Sequence, residues 1–258
     1  MADNKLKSVD TAFRIIEHLK SEDGATISEI VSSFDISKST AYRYLTTLKS
    51  HGYVVNEDRD YHVGLRFVEM SHYAKHRKPA YEIAQQTTST LATETADRAS
   101  FITNENGLGV VLASEVGEHG IFADTHIGQR FYLHASAVGK ALLALLPASE
   151  VEEIIDQYGL PVLTESTITN RDALFAELDE IRERGFAINN SERIDGIRAV
   201  AVGITDADDQ VIGAFGVSGP TRRMSDERIQ NELPQTLLSL AEEFELRIRY
   251  SEPFDSVT

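Results

Sequence analysis

Residues 27–54 read ISEIVSSFDISKSTAYRYLTTLKSHGYV, and the spacing of their apolar and hydroxyl residues decides the fold of the first part of the chain. Just ahead of this stretch, Thr26 followed by Glu29 forms a capping box, in which each side chain satisfies an amide left open at a helix start. The helix that follows is short, turns Ile27, Ile30 and Val31 inward, and stops near Phe34-Asp35. Ser37 or a polar neighbour caps the next helix, which runs to about Ser50. Its apolar stripe is Ala41, Tyr44, Leu45 and Leu48, spaced i, i+3, i+4, i+7. The opposite face shows Lys38, Ser39, Tyr42, Arg43 and Thr46. Upstream, Ser8 caps a helix with Val9, Ala12, Phe13, Ile16 and Leu19 as its apolar positions, and Ser21–Gly24 ends it. Downstream, Gly52 closes the third helix. Tyr53–Asn56 and Tyr61–Val63 then read as strands around the polar turn Glu57–Asp60.

Three short helices and a two-stranded ribbon make a winged helix-turn-helix pattern. In that motif the second helix of the pair enters the major groove of DNA and offers its N-terminal polar residues to bases and phosphates. The candidate DNA-binding residues are therefore Lys38, Ser39, Thr40, Tyr42, Arg43 and Thr46, with Arg59 on the wing. Arg43 suits guanine or phosphate, and the hydroxyls suit either. The same unit also serves in protein docking, which the residues alone leave open. Charge favours DNA: residues 1–80 carry 12 Lys and Arg against 11 Asp and Glu, whereas residues 81–258 carry 13 against 30. A near-neutral segment in a chain of net charge −16 is one made to meet a polyanion. The wing carboxylates Glu57, Asp58 and Asp60 pull mildly the other way.

The chain has 8 lysines against 17 arginines, and Lys140 is the one lysine beyond residue 80. Acid-rich, lysine-poor surfaces keep proteins dispersed at high salt, so a halophilic origin is expected. With no cysteine, disulfides, thiolate metal sites and cysteine nucleophiles are excluded. The longest apolar run, Ala141–Leu146, is far shorter than a membrane span requires, and the first ten residues hold no apolar signal segment. The expectation is a cytoplasmic soluble protein of two domains.

Leu65–Lys78 reads as an amphipathic helix with Phe67, Met70, Tyr73 and Ala74 on its apolar side, ended by Pro79. Glu69, His72 and His76 share a direction, but a solvated face accounts for them better than a metal site. A helix follows over Tyr81–Asp97. Strands are expected at Ala99–Thr103, Gly109–Glu115, Ile121–Asp124, Phe131–Leu133, Phe186–Asn189, Ala199–Thr205 and Val211–Ser218. Ser136, Ser149 and Asn170 start helices between them, and a long last helix carries Pro234 as a kink. This mixture gives an α+β domain on one antiparallel sheet. Catalysis is not supported. Gly139-Lys140 lacks the earlier glycine and the following hydroxyl of a phosphate loop, and His134 with Ser136 has no orienting carboxylate. Ser136–Gly139 instead forms a helix start that suits an anion.

The core Lys38-Ser39-Thr40-Ala41-Tyr42-Arg43-Tyr44-Leu45 within the opening stretch, together with SVDTAFRIIEHLK (8–20) and YHVGLRFVEMSHYA (61–74), resembles the DNA-binding half of the IclR family of transcription regulators. LHASAVGKALLA (133–144), GFAINNSERIDGIRAVAVGI (185–204) and GAFGVSGPTRR (213–223) resemble that family's effector domain. The likeness runs from about Leu6 to Tyr250. It implies a winged helix-turn-helix over 1–64, a linker helix over 65–79, a GAF-like antiparallel-sheet effector domain over 80–250 and a tail over 251–258. It also implies a regulator rather than an enzyme, with no cofactor or metal. Its partners would be double-stranded operator DNA, a small-molecule effector and other copies of the chain, as a homodimer or dimer of dimers. By motif, the effector would lie against Ala137, Val138, Asn189, Ala199, Gly216 and Ser218. Members that take small keto acids carry a carboxylate where Asn189 stands, and Ala199 and Gly216 are smaller than usual. The resemblance thus implies a wider, neutral pocket for a sugar acid or similar catabolite, read by hydrogen bonds and not by a salt bridge.

Overall fold

The capping box forms as the sequence dictates: the Glu29 amide donates to Thr26 Oγ1 and the Thr26 amide to Glu29 Oε2 (2.7 Å). It opens α2 (Ile27–Phe34), which lies between α1 (Lys7–Ser21) and α3 (Lys38–Ser50). Residues 6–120 and 125–250 are described in the computed structural model, and they fall into two units that part between residues 75 and 76. In the first unit β2 (Val54–Glu57) and β3 (Asp60–Val63) form the wing hairpin. A two-residue strand that the sequence did not signal, β1 (Ala25–Thr26), pairs with β3. Ile15, Ile16, Leu19, Ile30, Ala41, Leu45 and Val54 make the core.

The first helix departs from the sequence reading. It starts two residues early, with the Leu6 carbonyl accepting the amides of Val9 and Asp10, and no side chain caps it. Ser8 lies inside it. Ile15 joins Ile16 and Leu19 in the core, while Val9 and Phe13 stay exposed. Pro79 begins a helix and does not merely end one: α4 (Arg66–His76) stops short of it, and α5 (Pro79–Thr95) takes it as first residue, where its missing N–H costs nothing. On the apolar side of α4, Phe67 packs on the first unit's core and against Tyr53 (5.1 Å between rings), while Met70, Tyr73 and Ala74 stay exposed among the described residues.

The second unit is one six-stranded antiparallel sheet. Its strands are β4 (Arg98–Glu105), β5 (Leu108–Val116), β6 (Arg130–Tyr132), β7 (Ala187–Asn190), β8 (Ile197–Thr205) and β9 (Val211–Pro220), in the order β6-β5-β4-β9-β8-β7. Most strands run one or two residues beyond the expected bounds, and the region expected as a strand at Ile121–Asp124 lies outside the described residues. The β4–β5 turn uses Asn106 (φ 55°) and Gly107 (φ 82°), both left-handed, as two-residue hairpins require.

One face of the sheet packs on α5 and on α9 (Leu233–Tyr250) through Phe101, Phe215 and Phe244, whose ring centroids lie 4.7–5.9 Å apart. Just before α9, Arg228–Glu232 forms a π-helical turn; Pro234 has no amide to continue the regular ladder, so the irregularity expected there appears. The other face carries α6 (Ala137–Leu145), α7 (Ala148–Tyr158) and α8 (Arg171–Arg184), packed on Ile102, Ala201 and Ala214. Ser136 and Asn170 cap α6 and α8 through their side chains, whereas α7 begins at Ala148 behind Pro147 without a side-chain cap. Asp97, fully buried at the start of β4, holds Arg223 (3.0 Å) and Arg228 (2.7 Å).

Candidate functional site

In the first unit α3 buries Ala41 and Leu45 and half-buries Tyr44 and Leu48, so the opposite side is free. Lys38, Ser39, Tyr42, Arg43 and Thr46 are all exposed, as is Arg59 at the tip of the wing. Thr40 differs: it is half-buried, its amide is capped by Ser37 Oγ, and its hydroxyl lies 2.8 Å from the same oxygen. Ser39 Oγ also lies within 2.9 Å of Ser37 Oγ, so this hydroxyl cluster sets the helix start as well as facing outward. The surface offers two cations and an aromatic hydroxyl along one helix face, the chemistry used to grip phosphate and read guanine. The acids Asp35, Glu57, Asp58 and Asp60 are exposed in the same unit.

In the second unit, strand register builds a cavity. Asn189 pairs with Ala199, Ala199 with Ser218, and Ser218 with Arg98, so these four stand in one row across β7, β8, β9 and β4. The next row brings together Ala201, Gly216 and Ser100. A side chain at Gly216 would meet Val138 at 2.5 Å, so the bare glycine keeps the space open. Above these rows sits the start of α6. Its first amides have no partner within the helix, and Ala137 and Val138 line the cavity there. The enclosed volume is about 90 Å3, against roughly 10–15 Å3 for one water, which is room for a compact metabolite.

All six positions carried over by motif, Ala137, Val138, Asn189, Ala199, Gly216 and Ser218, line this one cavity. Two expectations about it need correction. The described lining is not uncharged, because Arg98 and Arg193 are part of it. Nor is Asn189 simply open to a ligand: its side-chain amide donates to the Ala135 carbonyl (2.7 Å), tying the 3-10 turn Leu133–Ala135 to β7.

Arg98 is anchored, with Nε and Nη2 donating to Ser114 Oγ and Nη2 also to the Thr125 carbonyl. Arg193 is half-buried, its guanidinium carbon 4.2 Å from the centre of the Phe131 ring, and no carboxylate pairs with it among the described residues. Burial lowers the pKa of both groups from the usual arginine value, and at Arg193 repulsion from Arg98 adds to it. A guanidinium that has lost hydration, lies near another positive charge and has no carboxylate partner among the described residues, as Arg193 does, is relieved by an anion beside it.

Sequence reading missed both arginines. Arg98 precedes the expected strand, and Arg193 lies in a loop; only the pairing of β4 with β9 and the fold of the loop bring them to the cavity. His134 is buried, with Nε2 3.1 Å from the Pro161 carbonyl, and burial lowers its pKa. Ser136 Oγ accepts the Gly139 amide as helix cap. Both are occupied structurally. Lys140 is buried in an ion pair with Glu192 (2.8 Å) and Glu177 (3.3 Å). Glu69 pairs with Arg66 on α4.

Residues 8–58 match the family model described as the IclR helix-turn-helix domain, and residues 72–245 match the one described as the bacterial transcriptional regulator IclR C-terminal. The chain belongs to the IclR family of transcriptional regulators. It is thus a DNA-binding regulator with an effector-binding C-terminal domain, in a family of regulators and not of enzymes. It is 32% identical to the "Probable HTH-type transcriptional regulator ArcR" of Halobacterium salinarum, over 95% of this chain and 94% of that one. Among solved structures, the Thermotoga maritima IclR superposes with a TM-score of 0.79 at 29% identity, covering 95% of this chain and all of that one. The inducer-binding domain of the PobR transcription factor of Acinetobacter, solved as a double mutant with 3-hydroxybenzoic acid, gives 0.59 at 26% identity over 64% of this chain and 96% of that domain. In this IclR family member, no helix among the described residues is long and apolar enough to cross a membrane.

Proposed function

We propose that this regulator senses a small organic anion, best matched by a sugar acid or related catabolite, in the cavity between α6 and the β7–β8–β9–β4 rows, and so controls catabolic genes. The observation that carries the reading is Arg193, which stands on the cavity wall without a carboxylate partner among the described residues. Arginine offers a carboxylate paired donors, while Ser100, Ser218 and the open amides of α6 supply hydrogen bonds to hydroxyls. That a similar domain, PobR's, was solved with a hydroxybenzoic acid supports the acid class. Isothermal titration with sugar acids and with the matching neutral sugars tests it: the acids should bind and the neutral forms should not. Equal binding of both would sink the anion reading.

The same reading divides the chain into a DNA reader over 1–64, a linker over 65–79 and a sensor over 80–250, with 251–258 as a tail. Operators are two-fold sites read by a homodimer or dimer of dimers, inside the cytoplasm, and the effector works by preferring one arrangement of paired readers. On the reader, Lys38, Ser39, Thr40, Tyr42, Arg43, Thr46 and Arg59 form the DNA contact. Arg43→Ala should cost about 1–3 kcal/mol of operator binding with an unchanged fold, since Arg43 is exposed and outside the core. Gel-shift titration of that variant checks it; parental affinity would remove Arg43 from the contact.

The charge pattern supports a halophilic setting and a second expected result. Ordinary DNA binders lose affinity steeply with salt because binding releases cations from DNA. Here Asp35, Glu57, Asp58 and Asp60 are exposed on the reader, and cations retained between acid and phosphate offset that release. Operator affinity should therefore depend weakly on KCl, or rise with it. Fluorescence anisotropy over a KCl series reads the slope, and a steep fall would contradict the idea.

A further inference from the structure

The loop 191–196 that brings Arg193 to the cavity is fastened at its base from the side away from the cavity. Glu192, only 6% exposed, points into the domain, where its Oε1 accepts from Lys140 Nζ at 2.8 Å and from the Asn190 amide at 3.2 Å. Its main-chain carbonyl accepts from Thr167 Oγ1 (2.6 Å), and the Ser191 carbonyl accepts from Thr164 Oγ1 (2.7 Å). Lys140 is 1% exposed and stands one turn along α6 from Ala137, on the helix whose start walls the cavity. The loop bends through left-handed residues at both ends, Ser191 (φ 63°) and Gly196 (φ 74°). Its exit is held by the Thr221 amide on the Gly196 carbonyl (2.8 Å).

A buried ion pair is a weak source of stability, because the lost hydration of two charges offsets their attraction. What it supplies well is a fixed geometry. We infer that the Lys140–Glu192 pair is a positioning device: it ties the loop to the effector-facing helix, so that the next residue, Arg193, is held over Phe131 with its guanidinium in the cavity. Lys140 and Glu192 are positioning residues that act through Arg193. The inference rests on reading the cavity as the effector site.

The test uses full-length protein without effector. In Lys140→Met, amides of residues 191–197 should exchange with deuterium about tenfold faster or more, and Arg193 should react faster with phenylglyoxal, as read by mass spectrometry. Amides of α5 and α9, and labelling of Arg198 and Arg223, should hardly move. Lys140→Arg, which keeps a cation between Glu192 and Glu177, should retain slow exchange at 191–197. If Lys140→Met does not fold, Glu192→Gln is read in the same way. Unchanged exchange at 191–197, or a rise spread evenly over the domain, would overturn the inference. These readouts need no ligand, so they are separate from the effector reading, which fails instead if sugar acids do not bind a protein whose loop is intact.

Discussion

Arg193→Met should weaken binding of an anionic effector by about 1.5–3 kcal/mol, roughly ten- to a hundredfold, because a charge-assisted hydrogen bond is lost. Methionine keeps an unbranched stem against Phe131, so the packing of that ring (4.2 Å from the guanidinium carbon) is largely retained. Arg193 has no carboxylate partner among the described residues, so its removal strands no acid and should leave the fold intact. Operator binding without effector should match the parent, while release or capture of DNA by effector should need far more of it. Arg193→Lys should recover only part of the loss, since an ammonium lacks the paired donors of the guanidinium. Titration calorimetry with sugar acids, set beside gel shifts, separates the two. Parental effector affinity in Arg193→Met would take the anion contact away from this residue.

Asp97→Asn should cost the C-terminal unit about 3–5 kcal/mol, the usual penalty for breaking a buried ion pair from one side. The carboxylate is fully buried between Arg223 and Arg228, and Arg228 also donates to the Thr95 carbonyl (2.8 Å). Asp97 Oδ2 is near Arg228 in distance but off the hydrogen-bonding angle, so the bond is chiefly one of charge. An amide keeps the volume and loses that charge, leaving two guanidinium groups facing a neutral site. The three residues also join the start of β4 to the segment leading into α9, so the loss falls on the whole unit. Thermal unfolding followed by circular dichroism should show a fall of roughly 10 °C in Tm for a unit of this size. A change worth less than about 1 kcal/mol would show that hydration replaces the ion triad at little cost.

The reader was almost wholly legible. Helix caps, apolar stripes and the turn at Asp58 are local matters, and α2, α3 and the wing lie where the caps and spacing place them. The first helix shows the limit: its residues offer two apolar stripes, and only packing into the core shared with α2, α3 and the wing selects Ile15 over Val9 and Phe13. Pro79 shows another, since proline suits both the end of one helix and the first turn of the next.

For the sensor domain, the motifs located six cavity residues without a structure. They did so because small residues at a helix start and on strands leave a local trace. The cavity's arginines left none. Arg98 enters it because β4 pairs with β9 in the register that sets Arg98 beside Ser218, and a shift of one residue would turn it to the opposite face. Arg193 enters it because Glu192, its neighbour, is drawn inward by Lys140, 52 residues away in the chain. The sequence by itself determined the family, the order of elements and the reading helix, through contacts between near neighbours along the chain. Tertiary structure alone decided that Arg98 and Arg193 line the cavity, because pairing between distant strands and a buried ion pair choose which side chains meet.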